Sequence, residues 1–203
     1  MNQKKSLRGY TRPMAVIAIM SALSIVLMML EFSIPALIPD FLKFDVSDFP
    51  ALMTSFAIGP WAGMMVCFLK NLLHLLFSFS TFGVGELANF IISSAFVVPA
   101  GLIYSRVRTK SGAMIGAFVG AVVAALFSFP VNYFITYPIY AGFMGLDAII
   151  GAYKAILPAI SNLPTALLIF NIPLTFAKGV ACIILTFLVY KPLSPILKGK
   201  TKK

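Results

Sequence analysis

The sequence predicts an all-α integral membrane protein, a six-helix transmembrane bundle with a short second helix and a long external first loop. Three observations support this fold class: 60% of the 203 residues are hydrophobic, only 11% are charged, and the mean hydropathy is +0.98. A soluble domain carries about 25% charged residues, so most of this surface is suited to lipid. The length fits one domain, residues 1–203, without a separate catalytic or ATP-hydrolysing domain.

The apolar runs define the predicted helices. We expect spans at about residues 14–30, 49–58, 61–79, 87–104, 113–140 and 167–190. The second run has ten residues and, at about 1.5 Å per residue, crosses only about half of a bilayer. A Gly59-Pro60 turn follows it, and residues 31–47 before it form the polar first loop. The segment 147–160 is too short to cross, and we expect an interfacial helix there with Asp147 as N-cap.

The charges predict the orientation. Twelve of the sixteen basic residues flank span ends: Lys4, Lys5, Arg8, Arg12, Arg106, Arg108, Lys110, Lys191, Lys198, Lys200, Lys202 and Lys203. Basic flanks face the cytoplasm, so we expect a multi-pass protein of the cell membrane with both termini cytoplasmic. The six acids then lie outside or at the outer rim: Glu31, Asp40, Asp45, Asp48, Glu86 and Asp147. This distribution favours the lipid bilayer as a partner and argues against nucleic acid.

Polar residues within spans are costly, so each is a functional candidate. Lys178 lies near the middle of the sixth span, and no acid occupies the central part of a span to pair with it. We expect Lys178 to face a polar cavity and bind a ligand, with backbone carbonyls or water as the structural alternative. Thr175 precedes it by one helical turn and shares its face. Asn132 follows Pro130 and could bind a ligand or hydrogen-bond another helix.

Other polar residues, and the motifs that are missing, narrow the range of possible functions. Lys70 and His74 share a face of the third span beside Asn71, and their roles, like that of Glu86, stay open. His74 is the only histidine, so no metal site is predicted. The sequence lacks a phosphate-binding G-x-x-x-x-G-K-[ST] motif and any nucleophile–base set. We therefore expect neither an enzyme nor a resident cofactor.

Small residues form two stripes. Gly112, Gly116 and Gly120 predict close helix packing at the start of the fifth span. Ala18 and Ala22 form an A-x-x-x-A stripe in the first span, with Ala15 nearby. Because the first span could be peripheral, this stripe could serve packing or a partner protein.

Three stretches together resemble a known family. They are F-L-K-F-D-V-S-D-F-P at 41–50 with the following Gly59-Pro60, G-E-L-A-N-F at 85–90, and P-L-T-F-A-K-G at 173–179. This combination resembles the riboflavin-specific S components (RibU family) of energy-coupling-factor (ECF) vitamin transporters. The chain departs from the family at Thr175, where asparagine is usual.

The resemblance implies a substrate-binding subunit of an ECF-type ABC importer. It would capture riboflavin at the outer face for ATP-driven uptake, together with a transmembrane coupling protein and two cytoplasmic ATPases. The implied flavin contacts are Phe41, Leu42, Lys43, Phe44, Asn89, Asn132, Thr175 and Lys178. The coupling protein would contact Ala15, Ala18 and Ala22. Riboflavin is then a transported ligand and no cofactor is implied. The alternatives are the same fold binding FMN or another vitamin, and a proton-coupled small-solute permease.

Overall fold

A computed structural model describes residues 3–77 and 83–198. Within these residues the chain is helical, and its one β-bridge joins Phe32 to Phe44. The α-helices are α1 (Gln3–Met29), α2 (Asp48–Ala57), α3 (Pro60–Phe77), α4 (Val84–Arg106), α5 (Lys110–Val131), α6 (Tyr137–Met144), α7 (Leu146–Ile156), α8 (Leu163–Ala166) and α9 (Ile172–Lys198). Single π-helical segments, Asn132–Thr136 and Leu167–Asn171, join α5 to α6 and α8 to α9.

The apolar helices confirm an all-helical membrane protein. In the described part of the chain, five helical segments are long and apolar enough to cross a bilayer: Thr11–Met29, Pro60–Phe77, Val84–Arg106, Lys110–Met144 and Leu163–Val189. The ten-residue α2 is shorter than these segments, as predicted, and eight of its residues are buried. It therefore packs inside the bundle.

Several predicted boundaries differ from the observed ones. Helix α1 begins before residue 14 and α9 continues past residue 190, because basic residues can extend a helix beyond its apolar part. The fifth span runs from 110 to 144 and the sixth begins at 163, a few residues beyond the predicted bounds, because α6 continues to Met144 and α8 precedes the apolar run. The predicted end of the third span at residue 79 lies outside the described residues.

The assignment of Asp147 as an N-cap was wrong. Gly145 occupies the N-cap of α7 with φ of +80°, a left-handed backbone region in which glycine is the least strained residue. Asp147 lies in the first helical turn instead, where its negative charge still suits the positive end of the helix dipole.

Helices α4 and α5 meet along the predicted glycine stripe. A Cβ atom added at Gly116 would lie 2.7 Å from the carbonyl oxygen of Ala100, and one at Gly120 would lie 2.3 Å from that of Phe96. Both distances are far below van der Waals contact, so only glycine permits this approach. The prediction of close packing at these positions is confirmed.

Two apolar cores hold the helices. The larger contains Leu52 and Met53 of α2 together with parts of α1, α3, α4, α5 and α9. The smaller joins Ile38 of the first loop to α6, α7 and the π-helical segment before α9, and is centred on Tyr137 and Tyr153. The second core therefore anchors the first loop and α7 at the same end of the bundle.

We predict that Gly120→Val destabilises the fold, by about 1–3 kcal/mol, because the added side chain must push α4 away from α5. Gly142→Val is the matched control, since a Cβ atom at Gly142 meets no atom within 4 Å. Thermal unfolding in detergent measures the difference. Equal melting temperatures for the two variants would contradict the close packing of α4 and α5.

Candidate ligand-binding site

Two backbone hydrogen bonds within the first loop, residues 31–47, bring its two ends together. The amide of Phe32 donates to the carbonyl of Phe44 at 3.0 Å, and the amide of Phe44 donates to the carbonyl of Phe32 at 2.7 Å. Their rings also pack with centroids 5.5 Å apart. These contacts bring the end of the loop back beside the end of α1.

Asp45, at the end of this loop, pairs with Lys178 of α9. The ammonium of Lys178 donates to Oδ2 of Asp45 at 2.6 Å. The other carboxylate oxygen accepts from the amide of Ser47 at 2.9 Å and from its hydroxyl at 2.5 Å. Burial by itself would raise the pKa of Asp45, but the ammonium groups of Lys178 and Lys70 hold it well below its usual range. The carboxylate is therefore ionised, and both of its oxygens accept hydrogen bonds.

A second buried lysine fixes the junction between the loop and α2. Lys70 of α3 is fully buried; it donates to the hydroxyl of Ser47 at 2.7 Å and pairs with the carboxylate of Asp48. Buried charges persist when they are paired and hydrogen-bonded in this way. Ser47 thus connects the Lys70–Asp48 pair to the Asp45–Lys178 pair. One polar network joins α9, the first loop, α2 and α3.

A cavity of about 510 Å³ opens beside this network. Its walls come from the end of α1, the first loop, α3, α4, the segment from Asn132 to Met144, and α9. The lining residues are Met28, Glu31, Phe41, Leu42, Lys43, Asp45, His74, Gly85, Glu86, Ala88, Asn89, Ile92, Asn132, Thr136, Tyr137, Tyr140, Phe143, Met144 and Lys178. The lining is mixed, with apolar and aromatic surface around a few converging polar groups, which is usual for small-molecule sites.

Hydrogen bonds between helices hold the polar lining in place. The ring nitrogen Nδ1 of His74 and a carboxylate oxygen of Glu86 are 2.9 Å apart, which joins α3 to α4. The amide of Asn89 donates to Oδ1 of Asn71 at 3.0 Å. At the start of the first π-helical segment, Asn132 donates one N–H to the carbonyl of Ser128 at 2.8 Å. A π-helical turn is frequent at functional sites, and here it lies in the cavity wall.

Aromatic rings close one side of the cavity. Phe41 of the first loop meets Tyr137 edge-on, with centroids 6.3 Å apart, and Tyr153 at 5.5 Å. The hydroxyls of Tyr137 and Tyr153 are hydrogen-bonded to each other, and Tyr153 donates to Asn171 at 2.9 Å. The first loop thus packs on buried tyrosine side chains whose hydroxyl groups are hydrogen-bonded.

Six of the eight predicted ligand contacts meet in this cavity: Phe41, Leu42, Lys43, Asn89, Asn132 and Lys178. The other two are not among its lining residues. Phe44 is engaged with Phe32, and Thr175 is a half-buried residue of α9. The three alanines proposed to contact a partner, Ala15, Ala18 and Ala22, are all exposed on α1.

The lining also includes residues that the sequence analysis did not assign to a ligand site, among them Asp45, Glu31 and Thr136. Asp45 is separated from Lys178 by 133 residues, so no local spacing could pair them. Glu31 was grouped only with the outer acids. Thr136 is 6% exposed, and its hydroxyl has no hydrogen-bond partner among the described residues, so it can bond a ligand. A threonine in an apolar run is a weak indication of a binding site, because its hydroxyl can instead hydrogen-bond to a backbone carbonyl of its own helix.

A polar, partly aromatic cavity at one end of a helical membrane bundle is the kind of site that small molecules occupy. The family model described as "ECF transporter, substrate-specific component" matches residues 12–190. The chain therefore belongs to the family of substrate-specific components of ECF transporters. This assignment confirms the resemblance found in the sequence and the expectation that the chain is not an enzyme.

Individual proteins that are similar to this chain support its assignment to the family. The chain is 33% identical to "Riboflavin transporter RibU" of Staphylococcus aureus (strain TCH60), over 90% of each chain. It is 29% identical to "Riboflavin transporter FmnP" of Bacillus subtilis (strain 168), over 91% of this chain and 93% of that protein. A solved structure, titled "Structure and mechanism of the S component of a bacterial ECF transporter", matches with a TM-score of 0.71 at 31% identity. The match covers 92% of this chain and 97% of that one. The overall fold is therefore that of an ECF S component.

We predict that Glu31→Gln raises thermal stability at pH 7. Burial, followed by the neighbouring carboxylate of Asp45, raises the pKa of Glu31, so ionised Glu31 is less favourable in the folded than in the unfolded state. Its destabilising effect is present above the raised pKa and vanishes below about pH 4, where the carboxyl is protonated in both states. The gain is at most a few degrees, since the side chain is partly exposed.

Melting temperatures of both proteins between pH 4 and pH 8 measure this effect. Asp40→Asn is the matched control, because Asp40 lies exposed in the same loop. A gain that is equal at pH 4 and pH 7, or equal for the two variants, would contradict the assigned role of Glu31.

Proposed function

We propose that this chain is the substrate-binding S subunit of an ECF-type ABC importer and captures riboflavin in the cavity beneath the first loop. The observation that carries the proposal is the convergence of Lys178, Asn132 and Asn89 from three separate helices with Phe41, Leu42 and Lys43 of the loop. The similarity to two proteins named as riboflavin transporters, over about 90% of their lengths, supports the choice of ligand.

The chemistry of the cavity suits a flavin. The isoalloxazine ring is a flat apolar plate with hydrogen-bonding groups along one edge. Phe41 and Tyr140, both half-buried in the lining, offer aromatic surface for the plate, while Lys178 and Asn132 offer donors and an acceptor for the edge. The volume of about 510 Å³ lies within the range of drug-sized ligand sites.

Asp45 acts on the ligand through Lys178. An ammonium group has three N–H donors, and the hydrogen bond to Asp45 uses one of them. The pair fixes the position of the ammonium at the cavity while leaving donors for the flavin. Since Asp45 belongs to the first loop, the same contact couples the position of the loop to the binding site.

We further propose that the chain is a single membrane domain with six crossings, of which the short α2 is the second. Both termini are then cytoplasmic, which places Arg106, Arg108 and the basic termini inside according to the positive-inside rule. The cavity opens at the opposite, outer end, beside Glu31, Asp45 and Glu86. A vitamin would enter from outside the cell.

The partners of this subunit are proposed from the family. As in other ECF-type importers, the ATP-driven module would consist of a transmembrane coupling protein and two cytoplasmic ATPases; the 203 residues themselves contain no phosphate-binding motif. Ala15, Ala18 and Ala22 expose a flat strip of small side chains on α1, and such a strip permits close approach of another helix.

Lys178→Ala tests the ligand site. We expect at least about a tenfold loss of riboflavin affinity, because a hydrogen bond from a charged donor contributes about 1.5–3 kcal/mol. Quenching of the single tryptophan, Trp61, by the bound flavin measures the affinity. Lys154→Ala, at an exposed lysine of α7, is the control and should bind as the unmodified protein does.

Removing Lys178 also leaves Asp45 buried without its cation, which could disturb the fold. The double variant Asp45→Asn/Lys178→Ala removes both charges. It therefore separates the loss of the ligand contact from any disturbance of the fold by an unpaired carboxylate. Unchanged affinity in both variants would remove Lys178 from the site. A purified protein that copurifies with no flavin and shows no quenching by riboflavin would refute the proposed ligand, and parallel titration with FMN tests the nearest alternative.

Ala18→Trp tests the partner surface. We expect riboflavin binding to stay the same, while ATP-driven uptake by the assembled complex falls at least about tenfold, because the indole holds the coupling protein away from α1. Leu23→Trp is the control, since Leu23 is exposed on another side of the same helix. Unimpaired uptake with Ala18→Trp would exclude the alanine strip from coupling, and uptake by the chain alone would favour a permease.

A further inference from the structure

Thr136 carries a buried hydroxyl group that is not hydrogen-bonded. The residue is 6% exposed and lines the ligand cavity, and its hydroxyl oxygen has no partner within the part of the chain that the structure describes. A buried hydroxyl of this kind has lost its hydration without a compensating bond, so such groups are rare and each requires an explanation. A ligand in the cavity would supply the missing partner.

The usual alternative, a bond to the residue's own helix, does not apply to Thr136. A helical threonine commonly donates to a backbone carbonyl three or four residues earlier. Thr54 donates in this way to the carbonyl of Pro50 at 2.8 Å, and Thr186 to that of Cys182 at 2.7 Å. Thr136 is as buried as these two residues but makes no such bond. Its hydroxyl is therefore available to a ligand.

Thr136 ends the first π-helical segment, whose backbone has a different hydrogen-bond pattern. The carbonyl of Asn132, four residues before Thr136, accepts from the amide of Tyr137, five residues after it. The hydroxyl oxygen of Thr136 is itself covered, but a helical threonine adopts either of two χ1 rotamers. Rotation about this one bond exchanges the hydroxyl and the methyl group. Because no hydrogen bond has to break, the hydroxyl can turn into the cavity at little cost.

The position of Thr136 along the cavity indicates which part of a ligand it meets. Helices α5 and α9 pack so closely that a Cβ atom at Gly179 would lie 2.9 Å from the Cβ atom of Ala121. The backbone of Lys178, next to Gly179, is therefore about eleven residues, or about 16 Å of helix, nearer the start of α5 than Asn132. Thr136 lies one helical turn beyond Asn132 in the opposite direction. The order along the cavity is thus Lys178, Asn132 and Thr136.

Riboflavin has two kinds of polar group that match this order. The pyrimidine edge of the ring offers carbonyl and N–H groups, which suit the ammonium of Lys178 and the amide of Asn132. The ribityl chain offers hydroxyl groups, each of which donates and accepts hydrogen bonds. A threonine hydroxyl also does both, so it can pair with an alcohol in either direction. A ring held by Lys178 and Asn132 leaves its ribityl chain to be bound elsewhere, and Thr136 supplies an unpaired hydroxyl one turn further along.

We propose that Thr136 is a specificity-determining residue of the cavity, and that its hydroxyl hydrogen-bonds a hydroxyl group of the ribityl chain. This assignment rests on the proposed function, in which riboflavin is the ligand. It gives the recognition of the polyhydroxylated chain to a residue other than those that hold the ring. The cavity then selects flavins that carry such a chain over flavins that have the ring alone.

Two flavins and one substitution of similar size test the assignment. Lumiflavin has the ring system of riboflavin with a methyl group in place of the ribityl chain. Thr136→Val replaces the hydroxyl by a methyl group. We expect this variant to bind riboflavin about fivefold more weakly, because one neutral hydrogen bond is lost, and to bind lumiflavin as the unmodified protein does. Isothermal titration calorimetry of the full-length protein in detergent measures both affinities.

Two further variants separate a ligand contact from packing. Thr136→Ser keeps a hydroxyl at this position and should retain most of the affinity for riboflavin. Thr186→Val is the matched control, because Thr186 is buried but is not among the lining residues, and it should leave both affinities unchanged. Thermal unfolding without flavin adds an independent measurement. Thr186→Val breaks the bond to Cys182 and should lower the melting temperature, whereas Thr136→Val breaks none and should not.

The outcomes distinguish this assignment from the proposed function. Equal losses of affinity for both flavins in Thr136→Val, or no loss for riboflavin, would overturn the contact with the ribityl chain while leaving riboflavin as the ligand. A melting temperature of flavin-free Thr136→Val that falls as far as that of Thr186→Val would show that the hydroxyl is bonded within the protein, and would also overturn it. If the unmodified protein binds neither flavin, the proposed function fails and this assignment fails with it.

Discussion

The ion pair between Lys178 and Asp45 constrains much of this structure. A lysine in the middle of an apolar helix needs a partner, because an isolated charge in a low-dielectric interior is strongly unfavourable. The partner comes from the first loop, so satisfying Lys178 also places that loop over the bundle. Ser47 extends the network to Lys70 and Asp48, which fixes the start of α2. The loop, the short helix and the ligand cavity therefore share one set of buried charges.

The two ends of the bundle differ in chemistry. At one end, carboxylates, amides and two lysines are paired or hydrogen-bonded around a cavity with aromatic walls. At the other end, Arg12 and Arg108 are among the residues that line a second cavity. Close packing through glycines in the α4–α5 contact leaves the helices between these ends little room to separate. A ligand in the first of these cavities meets a scaffold that is already ordered.

Much of the fold was predictable because a bilayer restricts the chain to apolar helices with polar connections. The short α2, the long first loop and close packing at the glycines of α5 follow from composition and spacing, whereas the structure identifies α4 as the helix that packs there. Local detail was less predictable: π-helical segments follow Val131 and Ala166 within two apolar runs, and nothing in the hydrophobic pattern marks an added residue in a turn. The N-cap of α7 was assigned to Asp147, although the left-handed backbone there requires Gly145.

The sequence by itself determined the membrane class, because that depends on hydropathy, and it predicted the orientation and most of the candidate ligand contacts from charge position and short motifs. Only the tertiary structure decided which charges pair, because Asp45 and Lys178 lie 133 residues apart and meet through the packing of the loop on α9. It also decided that Phe44 packs on Phe32 outside the cavity lining, and that Thr136 and Glu31 belong to that lining. Pairing across such separations depends on how whole helices pack, and no local pattern encodes it.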